Sequence, residues 1–202
     1  MKNWLPRIFV FLTAAGIGLS SPSYAADTIT LHGAVQFNDE HPYNKALLKF
    51  EELVKKYYGK PIKFVLHRNS ELGLEKDYFA YMSQGVSVDY AIASPSHMST
   101  FSPAAPFMDM PFLFRYYDHW DKVLATDVFK PIVDAIAKKA DVMLVGFAGG
   151  GVRNLIANKP VRNMAELKGL PMRVMGAPIQ TKMFGAIGAA PTVIAYSETY
   201  NA

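Results

Sequence analysis

The sequence predicts an α/β protein with mostly parallel sheet, divided into two units. Strand-like and helix-like segments alternate along the chain, which is typical of parallel sheets covered by helices. Half of the 202 residues are apolar or aromatic and 19% are charged, a globular composition. Glycines at positions 149–151 separate two halves of unlike pattern. We therefore predict a first α/β unit over residues 26–150 and the start of a second over residues 151–202.

The first 25 residues have the pattern of a bacterial export signal. Lys2 and Arg7 form a basic region, residues 8–19 form an apolar run of 12, and Ser23 and Ala25 supply the small residues of a cleavage site. A membrane anchor is the alternative, but this run is too short to cross about 30 Å of hydrocarbon comfortably. The pattern predicts cleavage after Ala25 and a periplasmic mature protein.

Apolar periodicity defines the elements of the first unit. Strict alternation predicts strands, and a spacing of three or four residues predicts helices. Leu47, Phe50 and Val54 form such a helical stripe, which Gly59 ends. The predicted order is a strand at 28–34, a helix at 42–58, a strand at 62–67, a helix at 74–84, a strand at 89–93, an irregular segment rich in Pro, Phe and Met at 101–114, a helix at 118–139 interrupted near Pro131, and a strand at 142–147.

The second unit continues the alternation. Asn163 and Glu166 form a capping-box pattern for a short helix that Gly169 ends. Ser197 resembles the N-cap of a helix beginning at residue 198, and the sequence stops four residues later, which suggests a truncated sequence. The other predicted elements are a strand at 152–157, a strand at 172–175, a helix at 178–187 and a strand at 191–195.

Several classes of function lack the residues that they need. The chain has no cysteine, which excludes disulfides, thiol nucleophiles and cysteine–zinc sites. Half of the net charge of +4 comes from Lys2 and Arg7, and no Lys/Arg run is long enough to follow nucleic-acid phosphates. The histidines lack metalloprotease spacing, and the triple glycine lacks the Lys-Ser/Thr of a phosphate loop. We expect no catalytic centre, no metal or cofactor, and no nucleic-acid partner.

Two arginines stand out because they lie in otherwise apolar predicted strands. Arg153 follows the glycine cluster, and Arg173 lies within residues 172–175. Burying a charge is costly unless it is paired, and a guanidinium matches a carboxylate through two parallel hydrogen bonds. A ligand clamp is one interpretation. The alternative is structural: an arginine could pair with an acid such as Glu198, or point to solvent from an edge strand.

Several ordered blocks resemble one known family. They are residues 70–73, 110–114, 151–155, 163–175, 187–192 and 196–200. In these residues and in their spacing, the chain from about Ile29 to Ala202 resembles the DctP-like solute-binding proteins of TRAP transporters. The resemblance implies a fold like that of the periplasmic binding proteins, with two α/β lobes joined by a hinge and closing on a ligand. Measured against the family pattern, the second lobe is incomplete.

The resemblance also implies the residues of a ligand site. The carboxylate-binding arginine of the family falls on Arg173, and a frequent second arginine falls on Arg153. Ser94 falls on a position at the end of a first-lobe strand that can contact the ligand. Tyr196 falls on the position of an aromatic ring that often packs on the ligand, and the alternative for Tyr196 is ordinary packing within the lobe. Glu71 and Phe112 are two further candidates for lining the cleft. For each of them the alternative is a position in the core or at the rim.

The function that the resemblance implies is capture of an organic acid by arginine clamp and lobe closure, without covalent chemistry. The receptor would be monomeric and would deliver its ligand to membrane-embedded TRAP permease subunits. Two alternatives stay open at this point. One is a periplasmic α/β enzyme acting on a small carboxylate, since a fold does not determine a function. The other is a non-functional truncated product.

The export signal generates the first testable prediction. When the chain is expressed in a Gram-negative bacterium, the periplasmic protein should begin at Ala26, because the small residues Ser23 and Ala25 precede that bond. N-terminal sequencing of the periplasmic fraction checks this. Recovery of the uncleaved chain fixed in the inner membrane would contradict it.

Overall fold

A computed structural model describes residues 28–149 and 151–201, and the predicted signal peptide at 1–25 lies outside them. In these two ranges no helix combines the length and the apolar character needed to cross a bilayer. The strands are β1 (Ile29–Ala34), β2 (Ile62–His67), β3 (Tyr90–Ala91), β4 (Pro171–Val174) and β5 (Ala190–Val193). The α-helices are α1 (Pro42–Tyr58), α2 (Glu75–Ser83), α3 (Tyr117–Leu124), α4 (Lys130–Ala140) and α5 (Pro178–Ala186).

The strands form two sheets, and every strand pair is parallel. The first sheet has the order β2-β1-β3, with β1 paired to β2 from Ile29↔Ile62 to Ala34↔His67. The second pairs β4 with β5 from Pro171↔Ala190 to Val174↔Val193. The helix between each pair returns the chain to the start of the next strand, as parallel pairing requires. The parallel α/β prediction is therefore confirmed, whereas the division into units at residue 150 stays a prediction.

Helix α1 has the predicted bounds because both of its ends are specified locally. At its start, the His41 ring Nδ1 accepts a hydrogen bond from the Tyr43 N–H (3.1 Å), and Pro42 occupies a position where no helical N–H is needed. At its end, Gly59 adopts the left-handed conformation, with φ of 69°. Leu47 of this helix is buried against Val35 and Phe37, which follow β1.

The irregular segment at 101–114 supplies core side chains, which accounts for its composition. It folds into short turns, one of them the 3₁₀ helix Ala105–Asp109. Met108 of this turn is buried. It packs in a cluster with Phe79 of α2 and Ile136 of α4. A separate cluster beneath the second sheet contains Leu167, Leu170, Met172, Val174 and Ala189.

The helix predicted at 118–139 with an interruption near Pro131 is two helices, so the interruption is confirmed, but it lies at residues 125–129, before Pro131. Helix α3 ends at Leu124 and α4 begins at Lys130. Thr126 lies between them, and its Oγ1 donates to the Val123 carbonyl (2.6 Å), which ends the first helix. Pro131 lies in the first turn of α4, where its missing N–H costs nothing, rather than inside a longer helix.

The strands predicted at 142–147 and 152–157 are not strands in the structure. In the first segment, Val142 and Leu144 pack on the core while Met143 and Val145 are largely exposed, which is the alternation of a strand. What is missing is a partner, because no neighbouring strand within the described ranges supplies a hydrogen-bond ladder to either segment. Apolar periodicity reports which face is buried, but pairing decides whether a strand forms.

Two smaller predictions also need correction. The strand predicted at 89–93 is reduced to the two residues of β3, which pair with Gly33 and Ala34 of β1. The helix predicted from residue 198 is a 3₁₀ turn, Tyr196–Glu198, and its N-cap residue is Ala195 rather than Ser197. The capping box at Asn163 is confirmed: its Oδ1 accepts from the Glu166 N–H (3.1 Å) at the start of a 3₁₀ turn.

Gly33 of β1 generates a stability prediction. A Cβ atom there would lie 2.3 Å from Cζ of Tyr90, whose hydroxyl donates to Glu51 Oε1 (2.6 Å) and so resists displacement of the ring. Gly33→Ala should therefore lower the free energy of unfolding by about 1–3 kcal/mol, the usual cost of overpacking. Urea denaturation measures it. Gly146→Ala is the matched control, because no heavy atom lies within 4 Å of its Cβ position. Equal midpoints for the two variants would contradict the prediction.

Candidate functional site

The candidate residues gather where the parallel strands end. Ser94 follows β3, Arg173 is the third residue of β4, and Tyr196 follows β5. Gln36 and Phe37 follow β1 in the first sheet. Ligands of parallel α/β proteins bind at the carboxyl ends of the strands, where the chain leaves the sheet and side chains are free to face a cleft.

Arg173 is half-buried, and its guanidinium is anchored through one nitrogen. Its Nε donates to the carbonyl of Ile194, at the end of β5 (3.0 Å). This bond fixes the plane of the group and leaves the two terminal nitrogens, which form the fork that grips a carboxylate. Burial lowers the pKa of Arg173, and the charge of Arg153 lowers it further. The group still stays cationic, because an arginine is not deprotonated in proteins.

Arg153 is exposed, and its charge acts on the same cleft. It lowers the pKa of Arg173 and opposes the rise in the pKa of Glu75 and Tyr43. Over residues 28–149 and 151–201, neither Arg153 nor Arg173 forms a salt bridge with a carboxylate, Glu198 included. The two like charges therefore act on the same region without a carboxylate in direct contact in the described ranges, although the carboxyl group of Glu75 also lies in that region.

Tyr196 joins the ends of the two sheets through an aromatic cluster. Its ring meets Phe37 edge-on, with ring centroids 4.7 Å apart, and His41 at 5.7 Å. Phe37 and His41 are stacked, with centroids 3.8 Å apart. Such pairs contribute about 0.5–1.5 kcal/mol beyond their buried area. Tyr196 thus packs against residues that follow β1 and connects the end of the second sheet to the end of the first.

The floor of the cleft contains a buried acid that sequence reasoning missed. Glu75, the first residue of α2, is only 3% exposed. Its carboxylate accepts from the Gln36 side-chain amide (2.5 Å) and from the Ser94 N–H (2.6 Å), and lies 3.4 Å from His97 Nε2. Burial raises the pKa of Glu75 to about 7, although both hydrogen bonds oppose this rise. Burial also lowers the pKa of His97 to about 4, so the imidazole is neutral at pH 7.

The hydroxyl of Ser94 is held by a second acid. It donates to Asp109 Oδ2, which also accepts from the Ser96 hydroxyl (2.7 Å) and from the Ser96 N–H (3.3 Å). Both polar groups of Ser94 are therefore engaged, its N–H by Glu75 and its hydroxyl by Asp109. The residue is fixed at the end of β3 with a defined orientation.

Glu71 and Phe112 are placed differently from the other candidates. Glu71 Oε1 lies 2.8 Å from His67 Nδ1 at the end of β2, and the Glu71 side chain is exposed. Phe112 is 99% exposed and has a φ of 61°, in the left-handed region. In the part of the chain that the structure describes, no hydrogen bond or salt bridge joins Glu71 to either arginine. The charges of Arg153 and Arg173 act on each other, whereas Glu71 is paired with His67.

The missed residues had weak sequence signals. Glu75 looks like an acid in the first turn of a helix, which is normally a solvated position. Asp109 is a lone acid among Phe, Met and Pro, and a polar residue within an apolar stretch is the signal that could have identified it. Both are recognisable only once the fold brings residues 75, 94 and 109 together.

A parallel α/β framework with two arginines near its strand ends, neither of them in a salt bridge within the described ranges, has the architecture of the ligand-binding α/β proteins. Comparison with known proteins agrees with that class. Residues 33–202 match the family model described as bacterial extracellular solute-binding protein, family 7 (DctP). The chain belongs to this family of solute-binding proteins.

The relatives are similar over most of the chain. A solute-binding protein of Sulfitobacter sp. strain NAS-14.1 is 50% identical over 189 residues, which are 94% of this chain and 57% of that protein. The chain therefore spans little more than half the length of the curated relatives it matches. The matching relatives and structural neighbours are solute-binding proteins, not enzymes.

Two solved structures show the same architecture. A TRAP periplasmic solute-binding protein from Sulfitobacter sp. NAS-14.1, with bound α-D-taluronate, is 51% identical with a TM-score of 0.78 and covers 86% of this chain and 56% of that one. A TRAP periplasmic solute-binding protein from Roseobacter denitrificans OCh 114, with bound L-galactonate, is 29% identical with a TM-score of 0.78. The match covers 86% of this chain and 57% of that one.

The buried acid generates a prediction on pH and stability. The pKa of Glu75 is raised in the folded protein to about 7, above its ordinary value of 4.5. Its contribution to stability is thus fully present below pH 4.5 and is lost as the pH rises towards 7. Between these limits, wild type should lose stability relative to Glu75→Gln, by an amount on the order of 3 kcal/mol.

Urea unfolding at several pH values measures this difference. His97, whose pKa is lowered, changes stability in the opposite direction; because it lies 3.4 Å from Glu75, the difference between the two proteins reports the Glu75–His97 pair. Glu52→Gln, at an exposed helix position paired with Lys49, is the control and should show little pH-dependent difference from wild type. Parallel pH profiles for wild type and Glu75→Gln would refute the prediction.

Proposed function

We propose that the protein is a periplasmic solute-binding receptor of a TRAP-type secondary transporter, which captures a sugar acid in the cleft at the strand ends. The observation that carries the proposal is the pair Arg153 and Arg173, whose charges meet without a carboxylate partner within the described ranges. A ligand carboxylate would supply the missing counter-charge. Since the chain spans about half the length of its relatives, the activity of the whole protein is part of the proposal.

In this proposal Arg173 is the principal clamp. Its Nε is engaged by the Ile194 carbonyl, so the guanidinium plane is set before the ligand arrives. Such preorganisation reduces the conformational entropy lost on binding. The free terminal nitrogens would bind the two carboxylate oxygens in parallel. Arg153 is exposed and would act as an outer contact, adding attraction and completing the neutralisation.

Tyr196 would serve lobe closure. It follows β5 of the second sheet and already packs on Phe37 and His41, which follow the first. A ring that bridges the two sheets in this way can cover a ligand lying between Arg173 and Ser94, and its contacts would favour the closed arrangement. Closure would exclude water and thereby strengthen the arginine–carboxylate interaction.

The ligand class rests on the relatives and on the polar floor of the cleft. The two structures reported above contain taluronate and L-galactonate, each a carboxylate on a hydroxylated chain. Here the partly exposed group of the floor is Ser94, with Glu75 and His97 buried beneath it, and its hydroxyl suits ligand hydroxyls better than an apolar tail. The receptor would act as a monomer and pass its ligand to membrane-embedded TRAP permease subunits.

Substitution of Arg173 tests the proposal. Arg173→Ala should abolish measurable binding of a sugar acid, and Arg173→Lys should restore only part of it, because lysine keeps the charge but loses the planar fork. Removing one partner of a buried charge pair costs about 3–5 kcal/mol, which is a hundredfold or more in affinity. Arg153→Ala should weaken binding less. Calorimetry with taluronate and L-galactonate measures each affinity.

Arg162→Ala is the matched control, since Arg162 is an exposed arginine in the segment between the two candidates. It should bind as wild type does. If Arg173→Ala, shown to be folded by circular dichroism, binds within about threefold of wild type, a difference of only ~0.7 kcal/mol, Arg173 is a structural residue and the clamp is wrong.

A further inference from the structure

Glu75 is an ionisable group that the proposed clamp does not use. It is a nearly fully buried acid beside a cationic cleft, and its two hydrogen-bond donors are neutral groups, the Gln36 amide and the Ser94 N–H. Within the described parts of the chain no salt bridge to a lysine or arginine holds its charge. What favours its ionised form besides these bonds is the more distant charge of Arg153, acting across the cleft.

The groups that face Glu75 come from several elements. Each of them interacts with its charge or lies within 4 Å of its carboxylate. They are Tyr43 of α1, Tyr78 of α2, His97 of the turn Pro95–Met98, Asp109 of the turn Ala105–Asp109, and Arg153 after the glycine cluster. Asp109 disfavours ionisation of Glu75, and Arg153 is the group in this set that favours it.

We infer that Glu75, the buried acid that holds the Ser94 N–H, links ligand capture to partial proton uptake: an anion bound in the cleft offsets the charge of Arg153 that supports the ionised carboxylate, so Glu75 takes up a fraction of a proton from solvent as the ligand binds. The inference rests on the proposed function, because it requires an anion at the two arginines. Glu75 acts here as a positioning residue, since its carboxyl group holds the Ser94 N–H and not the ligand.

The other groups that face Glu75 do not titrate in the same interval. Burial brings the pKa of Glu75 to about 7, whereas His97 has a pKa of about 4 and is neutral throughout. The pKa of Tyr43 and that of Tyr78 are raised from values already near 10. The carboxyl group of a sugar acid is ionised above about pH 5. His41 of the aromatic cluster also titrates, with a pKa that burial lowers from 6.5, so the proton that belongs to Glu75 is the one whose uptake is lost in Glu75→Gln.

The sign of the effect follows from linkage. The bound state holds more protons than the free state, so affinity falls as the pH rises through the interval. If the anion raises the pKa of Glu75 by about half a unit, the affinity at pH 6 exceeds that at pH 8 by about threefold.

The coupling between Arg153 and Glu75 can be tested without a ligand. Arg153→Gln removes the positive charge as a bound anion would, and should raise the apparent pKa of Glu75 by about half a unit or more. The side-chain carboxyl ¹³C resonance of Glu75, assigned by its loss in Glu75→Gln, reports this value in a pH titration. Arg162→Gln is the matched control and should leave it unchanged. An identical Glu75 titration in wild type and Arg153→Gln overturns the inference, whether or not any ligand binds.

Proton uptake itself is measured by calorimetry of taluronate or L-galactonate binding at pH 7 in buffers of different ionisation enthalpy. Wild type and Glu52→Gln should take up a substantial fraction of a proton, and Glu75→Gln none. Binding without uptake in wild type, or uptake retained in Glu75→Gln, overturns the inference and leaves the receptor proposal standing. Failure of both sugar acids to bind counts against the receptor proposal instead, and the resonance titration then decides the coupling alone.

Discussion

The unneutralised charge of Arg153 and Arg173 is the constraint on which the candidate site depends. Like charges that share a partly buried region repel, and the lowered pKa of Arg173 reflects that repulsion together with burial. A fold keeps such a pair only if other interactions hold it, and here the Ile194 carbonyl fixes one guanidinium while the second stays in solvent. The pair is best explained as one part of an interaction that a ligand completes.

Parallel topology brings these groups together. Each strand pair is joined by a returning helix, so every strand delivers its last residues to the same edge of its sheet. Ser94 and Arg173 are far apart in sequence, but Ser94 follows β3 of the first sheet and Arg173 lies near the end of β4 in the second. Tyr196 then connects the two edges through Phe37 and His41. The positive charge of the candidate site comes from the second half of the chain, and most of the polar groups of its floor come from the first half.

The sequence predicts those helices and strands whose bounds are encoded by periodicity and capping. It does not predict whether a segment forms a strand when that depends on pairing with a neighbouring strand. The bounds of α1 and β2 follow from local signals, namely an apolar stripe, a left-handed glycine and strict alternation. The segment at 142–147 has the alternation of a strand but lacks a neighbour within the described ranges, and no local pattern reports a missing neighbour. Likewise Arg173 was recognisable as a charge in an apolar strand, whereas Glu75 looked like a solvated helix start.

Glu75 shows why an anion site can tolerate an acid on its floor. An ionised carboxylate would repel the ligand, yet replacing it with an apolar residue would leave the Gln36 amide and the Ser94 N–H without acceptors, at about 1–3 kcal/mol for each unsatisfied group. A carboxyl group with a pKa near 7 resolves this conflict. It accepts both hydrogen bonds when the cleft is empty, and it needs only one proton to become neutral when an anion approaches. Under the proposed function, burial is part of how the site would work, because an exposed glutamate would stay ionised and oppose the ligand at every physiological pH.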